Sequence, residues 1–172
     1  MDTSTFTQFD TRAFRHVLGH YPTGVAIVTA IDADGGPVGM TVGSFTSVSL
    51  QPPLVAFLPD KSSTSFPKIR SASAFCVNVL SAEQEKICQA FAMKTADKFQ
   101  GITWRPAASG APILENVVAW IDCDFETIHE TGDHYFVIGR VRELAVEKGS
   151  LPLLFFRGGY GRFSPHWLVA AP

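Results

Sequence analysis

Residues 117–156 read VVAWIDCDFETIHETGDHYFVIGRVRELAVEKGSLPLLFF, and this stretch decides the fold class. It holds strand candidates at 117–128, 134–146 and 151–156, rich in β-branched and aromatic residues. Gly132-Asp133 is the hairpin between the first two, and Lys148-Gly149-Ser150 lies between the second and third. Connections that short make neighbouring strands run antiparallel, because a parallel return needs a crossover of about a dozen residues or more.

The same pattern extends upstream. Residues 25–31 are apolar and β-branched and read as a buried strand. DADGGP at 32–37 is a turn, and 38–50 suits one strand with a bend at Gly43. Pro52-Pro53 breaks the ladder, and 54–58 and 75–80 read as further strands. Only the 59–73 and 81–115 connections are long enough for helical crossovers. Asp10 caps a helix in which Phe14, Val17, Leu18 and Tyr21 fall at i, i+3, i+4 and i+7, and Pro22 with Gly24 ends it. Pro67 starts a short helix over 67–71. Ser81 with Gln84 forms a capping-box pattern, and Ile87 with Phe91 gives the helix that follows an apolar face. Residues 94–112 read mostly as loop, and the tail from Gly158 is aromatic and Gly-rich. The expectation is a mostly β chain with peripheral helices, an antiparallel barrel, with a flexible arm over 1–9 and one domain over 10–172.

The chain has 172 residues, with 46% hydrophobic, 17% charged and a net charge of −2. That balance argues against disorder and against a nucleic-acid footprint. Cys76, Cys88 and Cys123 form no C-x-x-C pair, which favours a reducing compartment. The start, MDTSTFTQFD, lacks the apolar core of a signal peptide. The longest apolar runs fall far short of the ~20 residues of a membrane span. A cytoplasmic protein away from the membrane is expected. There is no G-x-G-x-x-G, no P-loop and no H-E-x-x-H. His16, His20, His129, His134 and His166 are not at metal-ligand spacing, so no metal is expected. Gly39–Gly43, GMTVG, has the frame of a nucleophile elbow but carries Thr in the Ser position and leads into more strand.

Five stretches carry candidate chemistry. Thr41, Ser44, Thr46, Ser47 and Ser49 offer hydroxyls to a polar ring edge or a phosphate. Lys61-Ser62-Ser63-Thr64-Ser65, between a buried strand and a helix, has the hydroxyls and loop amides of an anion site. Gly132-Asp133-His134 places an acid/base or positioning group on a turn. Arg157 to Arg162, RGGYGR, supplies forked donors and a stacking face. Asp97-Lys98-Phe99 offers a cation beside an aromatic ring. Each stretch alone also fits an ordinary turn or strand edge. The two hydroxyl clusters on successive strand ends point to a phosphorylated ligand.

In order, these stretches resemble the flavin reductase family, the small NAD(P)H:flavin oxidoreductases of two-component monooxygenases. The resemblance is carried by Pro22-Thr23-Gly24-Val25, Gly39-Met40-Thr41, Ser44-Phe45-Thr46-Ser47-Val48-Ser49, Pro52-Pro53-Leu54, Ser62-Ser63-Thr64 and Val77-Asn78-Val79-Leu80. It continues through Phe91-Ala92, Asp97-Lys98-Phe99, Gly110-Ala111-Pro112, Gly132-Asp133-His134 and Gly158 with Tyr160. It covers about residues 12–162.

The resemblance implies an FMN-binding split β-barrel that forms a homodimer. It implies that Thr41, Ser44, Phe45, Thr46 and Ser47 line the isoalloxazine and ribityl chain of FMN or FAD. Ser62, Ser63 and Thr64 would hold the flavin phosphate, and His134 would lie by the nicotinamide of NADH or NADPH. Lys98 and Phe99 are expected near the flavin, from the same or the other subunit, and Tyr160 belongs to the cofactor-binding set. Many members carry Asn where this chain has Gly43, which leaves FMN against FAD open. The implied reaction moves hydride from nicotinamide to flavin, and reduced flavin diffuses to a partner oxygenase. An electron carrier, or a split-barrel oxidase that retains its FMN, would use the same frame.

Overall fold

A computed structural model of the chain describes residues 10–94, 97–147 and 149–165. The arm expected over 1–9, Lys148 and His166 lie outside them. The strands are β1 (Thr23–Gly24), β2 (Ala26–Ile31), β3 (Pro37–Val42), β4 (Thr46–Leu50), β5 (Pro53–Phe57), β6 (Ala74–Val79), β7 (Trp104–Pro106), β8 (Pro112–Leu114), β9 (Ala119–Thr131), β10 (His134–Val146), β11 (Leu153–Phe156) and β12 (Gly159–Arg162). The helices are α1 (Thr11–Leu18), α2 (Phe66–Arg70) and α3 (Glu85–Ala92).

The main sheet runs β3-β2-β6-β9-β10-β5-β4 and every pairing in it is antiparallel. Its two edge strands, β3 and β4, are joined by residues 43–45 alone. At ~3.8 Å between successive Cα atoms, Val42 and Thr46 lie within about 15 Å, so the sheet must curl. Bulges in the ladder, with Glu126 extra on β9 and Arg142 extra on β10, provide local bends in the long β9–β10 ribbon. The edges approach without pairing among the described residues, which gives the split-barrel form.

The expected single strand over 38–50 is therefore two strands on opposite edges. Its break is held by Ser44, whose Oγ accepts from the Leu58 amide (2.9 Å) and donates to the Leu58 carbonyl (3.3 Å). A side chain thus substitutes for the ladder where the chain changes edges.

Side chains alternate across β2 into two cores. Ala26, Val28 and Ala30 join Phe57, Phe66, Phe75 and Val77 inside the curl. Val25 and Ile27 join Leu80, Cys88, Phe91, Ile113, Leu114 and Trp120 on the other side. Burial on both faces explains why β2 reads as an unbroken apolar run. Buried Asn78 fastens the second layer. Its Nδ2 donates to the Pro112 carbonyl (3.2 Å) and to Thr29 Oγ1 (3.0 Å), and its Oδ1 accepts from the Leu114 amide (2.8 Å).

Three further stretches carry detail beyond the sequence expectation. Residues 94–112 include β7 and the start of β8, a hairpin with too few residues to show periodicity. The Ser81/Gln84 capping box is half formed: Gln84 Oε1 accepts from the Ser81 amide (3.0 Å), but α3 begins only at Glu85. The Gly-rich tail forms β12, paired with β11. α1 is capped by Asp10, whose Oδ1 accepts from the Ala13 amide. The face carrying Phe14, Val17, Leu18 and Tyr21 is exposed rather than packed on the barrel. No helix among the described residues is long and apolar enough to cross a membrane.

Candidate functional site

The loop from Pro59 to Ser65 leaves the end of β5 and enters α2. Asp60 organises it, with Oδ1 accepting from the Ser62 amide and its carbonyl from the Ser63 amide (3.0 Å). Ser63 Oγ accepts from the Phe66 amide (3.2 Å), which caps the short helix. Among the described residues, the Thr64 and Ser65 amides find no acceptor. Backbone donors of that kind seek an anion or water.

Lys98 is drawn onto this loop. Its Nζ donates to Ser65 Oγ (2.9 Å) and to the Phe91 carbonyl (2.7 Å), and burial lowers its pKa. Ser62, Ser63, Thr64 and Lys98 line one recess together with Met40, Thr41, Asp60, Phe91 and Lys94. A neighbouring groove of about 340 Å³ adds Lys68, Gly39 and Asp32 to Thr64, Ser65, Lys94 and Lys98. Asp32 already accepts from the Asp34 and Gly36 amides. Cations, hydroxyls and unpaired amides make a donor set suited to a phosphate monoester. That set fits the phosphate of a flavin.

His134 stands at the start of β10 and pairs with Asp60 in an isolated bridge, at one end of the recess. Its Nδ1 lies 2.7 Å from Asp133 Oδ1. A carboxylate only accepts, so the proton sits on Nδ1 and Nε2 is left for a ligand. The bond to His134 holds the Asp133 carboxyl below its usual range. The Ser62 amide does the same for Asp60, with smaller help from His134 and Arg15.

Thr41 borders two hollows. Its Oγ1 donates to the Cys88 carbonyl (3.0 Å), and on its other side Thr23, Val42, Gly43, Cys88, Phe155 and Tyr160 line an apolar recess. Cys88 Sγ and Tyr160 Oη are hydrogen-bonded at 3.2 Å, and this bond with burial pushes the phenol up to about 12.

The structure thus gathers Thr41, Ser62, Ser63, Thr64, Lys98 and His134 along one surface. Tyr160 lies in the adjoining recess. Ser44 is engaged with Leu58, and Phe45 packs against the inner core. Thr46 and Ser47 are exposed on edge strand β4, outside both hollows. Phe99 is set apart: its ring packs edge-on against Phe91 and Trp104 in the second core. Sequence reasoning missed Asp60, Lys68 and Lys94. Asp60 carried a signal, as an Asp two residues ahead of a Ser-rich turn. Lys68 and Lys94 look like any solvated lysine until the fold brings them together.

Residues 18–164 match the flavin reductase like domain. A flavin reductase of Pseudomonas putida is 63% identical over 155 residues, spanning 90% of this chain and 91% of that protein. The reductase subunit HsaB of a flavin-dependent monooxygenase from Rhodococcus jostii (strain RHA1) is 47% identical over 163 residues, spanning 95% of this chain and 83% of its own. The solved NADH:FAD oxidoreductase SgcE6 of Streptomyces globisporus C-1027, in complex with NAD and FAD fragments, superposes with a TM-score of 0.87 at 35% identity, covering 95% of this chain and 99% of that one. The matched segment runs from the end of α1 past β12 and includes every stretch gathered above, so the chain belongs to the flavin reductase family.

Proposed function

We propose that this chain reduces free flavin with a nicotinamide dinucleotide and passes the reduced flavin to a separate flavin-dependent oxygenase. One observation carries the reading: the phosphate-type donor set of Ser62–Thr64 and Lys98 lies on the same surface as an Asp133-oriented His134. The relatives named as reductases and as a monooxygenase subunit support it.

In this reading Ser62, Ser63 and Thr64 hold the flavin phosphate with their hydroxyls, together with the free Thr64 and Ser65 amides. Lys98 supplies charge and, through Ser65, stiffens the loop. Thr41 with Ser44, Phe45, Thr46 and Ser47 forms the wall beside the isoalloxazine and ribityl chain, Tyr160 borders it in the adjoining recess, and Phe99 acts on the site only through its packing on Phe91. His134 positions the nicotinamide through Nε2. The flavin supplies the hydride-accepting chemistry when bound. The protein's share is proximity and orientation of two planar rings. The exposed apolar face of α1 suits a second copy of the chain, and the working unit is a homodimer.

The deciding experiment follows NADH oxidation with added FMN or FAD. Turnover that saturates in free flavin supports the reductase. A yellow protein that holds its flavin and does not turn over overturns it in favour of an electron carrier or oxidase.

A further inference from the structure

The arginines of this chain divide into two groups. Arg105, Arg140, Arg142 and Arg162 each hold a carboxylate, at 2.7–3.2 Å. Arg70 lies over the Tyr135 ring. The guanidinium groups of the remaining arginines, Arg12, Arg15 and Arg157, make no hydrogen bond or ion pair among the described residues, and all of them line one cavity of about 620 Å³. Ala13, His16, Gly19, His20 and Gly158 complete the wall together with Asp10, whose Oδ1 is engaged by the Ala13 amide.

Two features indicate a built site. Positions 12, 15, 16, 19 and 20 fall on one side of α1 and its C-terminal turn, opposite the apolar side of Phe14, Val17, Leu18 and Tyr21. A second copy seated on the apolar side would leave the basic side open. Arg157 also occupies a left-handed turn position (φ 50°) beside Gly158 (φ 82°), where Asn or Gly is the ordinary residue. An Arg there costs about 1–2 kcal/mol. Its amide donates to the Gly19 carbonyl (2.9 Å), which fixes the β11–β12 turn against α1 and its guanidinium beside the cavity.

We propose that this cavity binds the adenosine diphosphate portion of a dinucleotide, with Arg12, Arg15 and Arg157 on the phosphates and the base against the His16–His20–Phe156 rings. Forked guanidinium donors match phosphate oxygens. The His16 and His20 rings meet at 5.0 Å and His20 meets Phe156 at 6.3 Å, an exposed aromatic ledge beside the charges. The volume lies within the range of small-molecule sites and exceeds what a lone phosphate fills. Arg15 is near enough to Asp60 to help lower its pKa, so the cavity neighbours the His134 end of the candidate site. The assignment to a redox dinucleotide rests on the proposed function; the site itself does not.

The probe is ADP, titrated calorimetrically into the wild type and into a variant carrying Arg12→Gln and Arg157→Asn. Asn tolerates the left-handed turn, so the variant should keep the wild-type melting temperature. The expected result is wild-type ADP binding that weakens about tenfold or more in the variant and survives saturating FMN. No binding by the wild type, equal affinity in the variant, or displacement by FMN overturns the proposal. Kinetics then name the source. A raised KM for NADH with FMN as acceptor assigns the nicotinamide cofactor. A raised KM for FAD, with that for NADH unmoved, assigns the flavin. Neither moving overturns the dinucleotide assignment. Arginine-dependent ADP binding in a chain that reduces no flavin would sink the reductase reading and leave this site standing.

Discussion

The Lys98 ammonium bridges Ser65 Oγ and the Phe91 carbonyl at 2.9 and 2.7 Å, joining the Ser-rich loop to the end of α3. An ammonium has three donors, so one is left for a ligand. Lys98→Met keeps much of the stem and removes the charge. Its Kd for FMN, read by flavin titration, should rise about tenfold or more; an unchanged Kd would remove Lys98 from the phosphate site. Burial lowers the Lys98 pKa. The charged form binds phosphate, so wild-type FMN affinity should fall as pH rises, beginning below the ordinary lysine range. The Lys98→Met variant should lack that component.

His134 and Asp133 act as a pair in the nicotinamide role. His134→Ala should lower kcat/KM for NADH about tenfold or more through orientation and leave the FMN Kd near its wild-type value. Asp133→Asn keeps an acceptor near Nδ1 and should lie between the two. Steady-state kinetics with NADH varied at saturating FMN separate these cases. An unaltered kcat/KM in His134→Ala would reject the role.

Much of the frame was legible because its signals are local. β10 matches the expected 134–146 stretch, and the Gly132-Asp133 hairpin joins it to β9. A bend at Gly43 was legible, but that it separates two strands on opposite edges was not, because what holds the break is Ser44 meeting Leu58 across the curled sheet. The phosphate-type recess was half legible. Ser62-Ser63-Thr64 announces itself by composition, whereas Lys68 and Lys94 reach the groove only through tertiary packing. The basic cavity was hidden for the same reason: Arg157 is far from α1 in sequence and is brought there by the bond to Gly19.

Gly39 couples the frame to the site. A Cβ there would lie 2.5 Å from Phe91 Cε1, and Phe91 is buried against Phe99 while its carbonyl holds Lys98. Gly39→Ala therefore forces the Phe91 ring to move. The overpacking should cost about 1–3 kcal/mol in denaturant unfolding. It should also weaken FMN binding, since displacing α3 disturbs the Lys98 bridge. Lost stability with unchanged FMN affinity would show that α3 and the loop move independently.

The outer face of α1 supplies the test of assembly. Phe14, Val17, Leu18 and Tyr21 are 55%, 52%, 53% and 73% exposed, and they form one stripe along a short helix and the turn that follows it. A helix of eight residues is marginal in isolation, so an uncovered apolar stripe there destabilises the element that carries it. Cover by a second copy resolves both problems. Leu18→Glu should shift the chain from dimer to monomer in sedimentation at micromolar concentration, with its circular dichroism unchanged because Leu18 is not part of either core. If wild type sediments as a monomer, or Leu18→Glu stays dimeric, this face does not make the dimer.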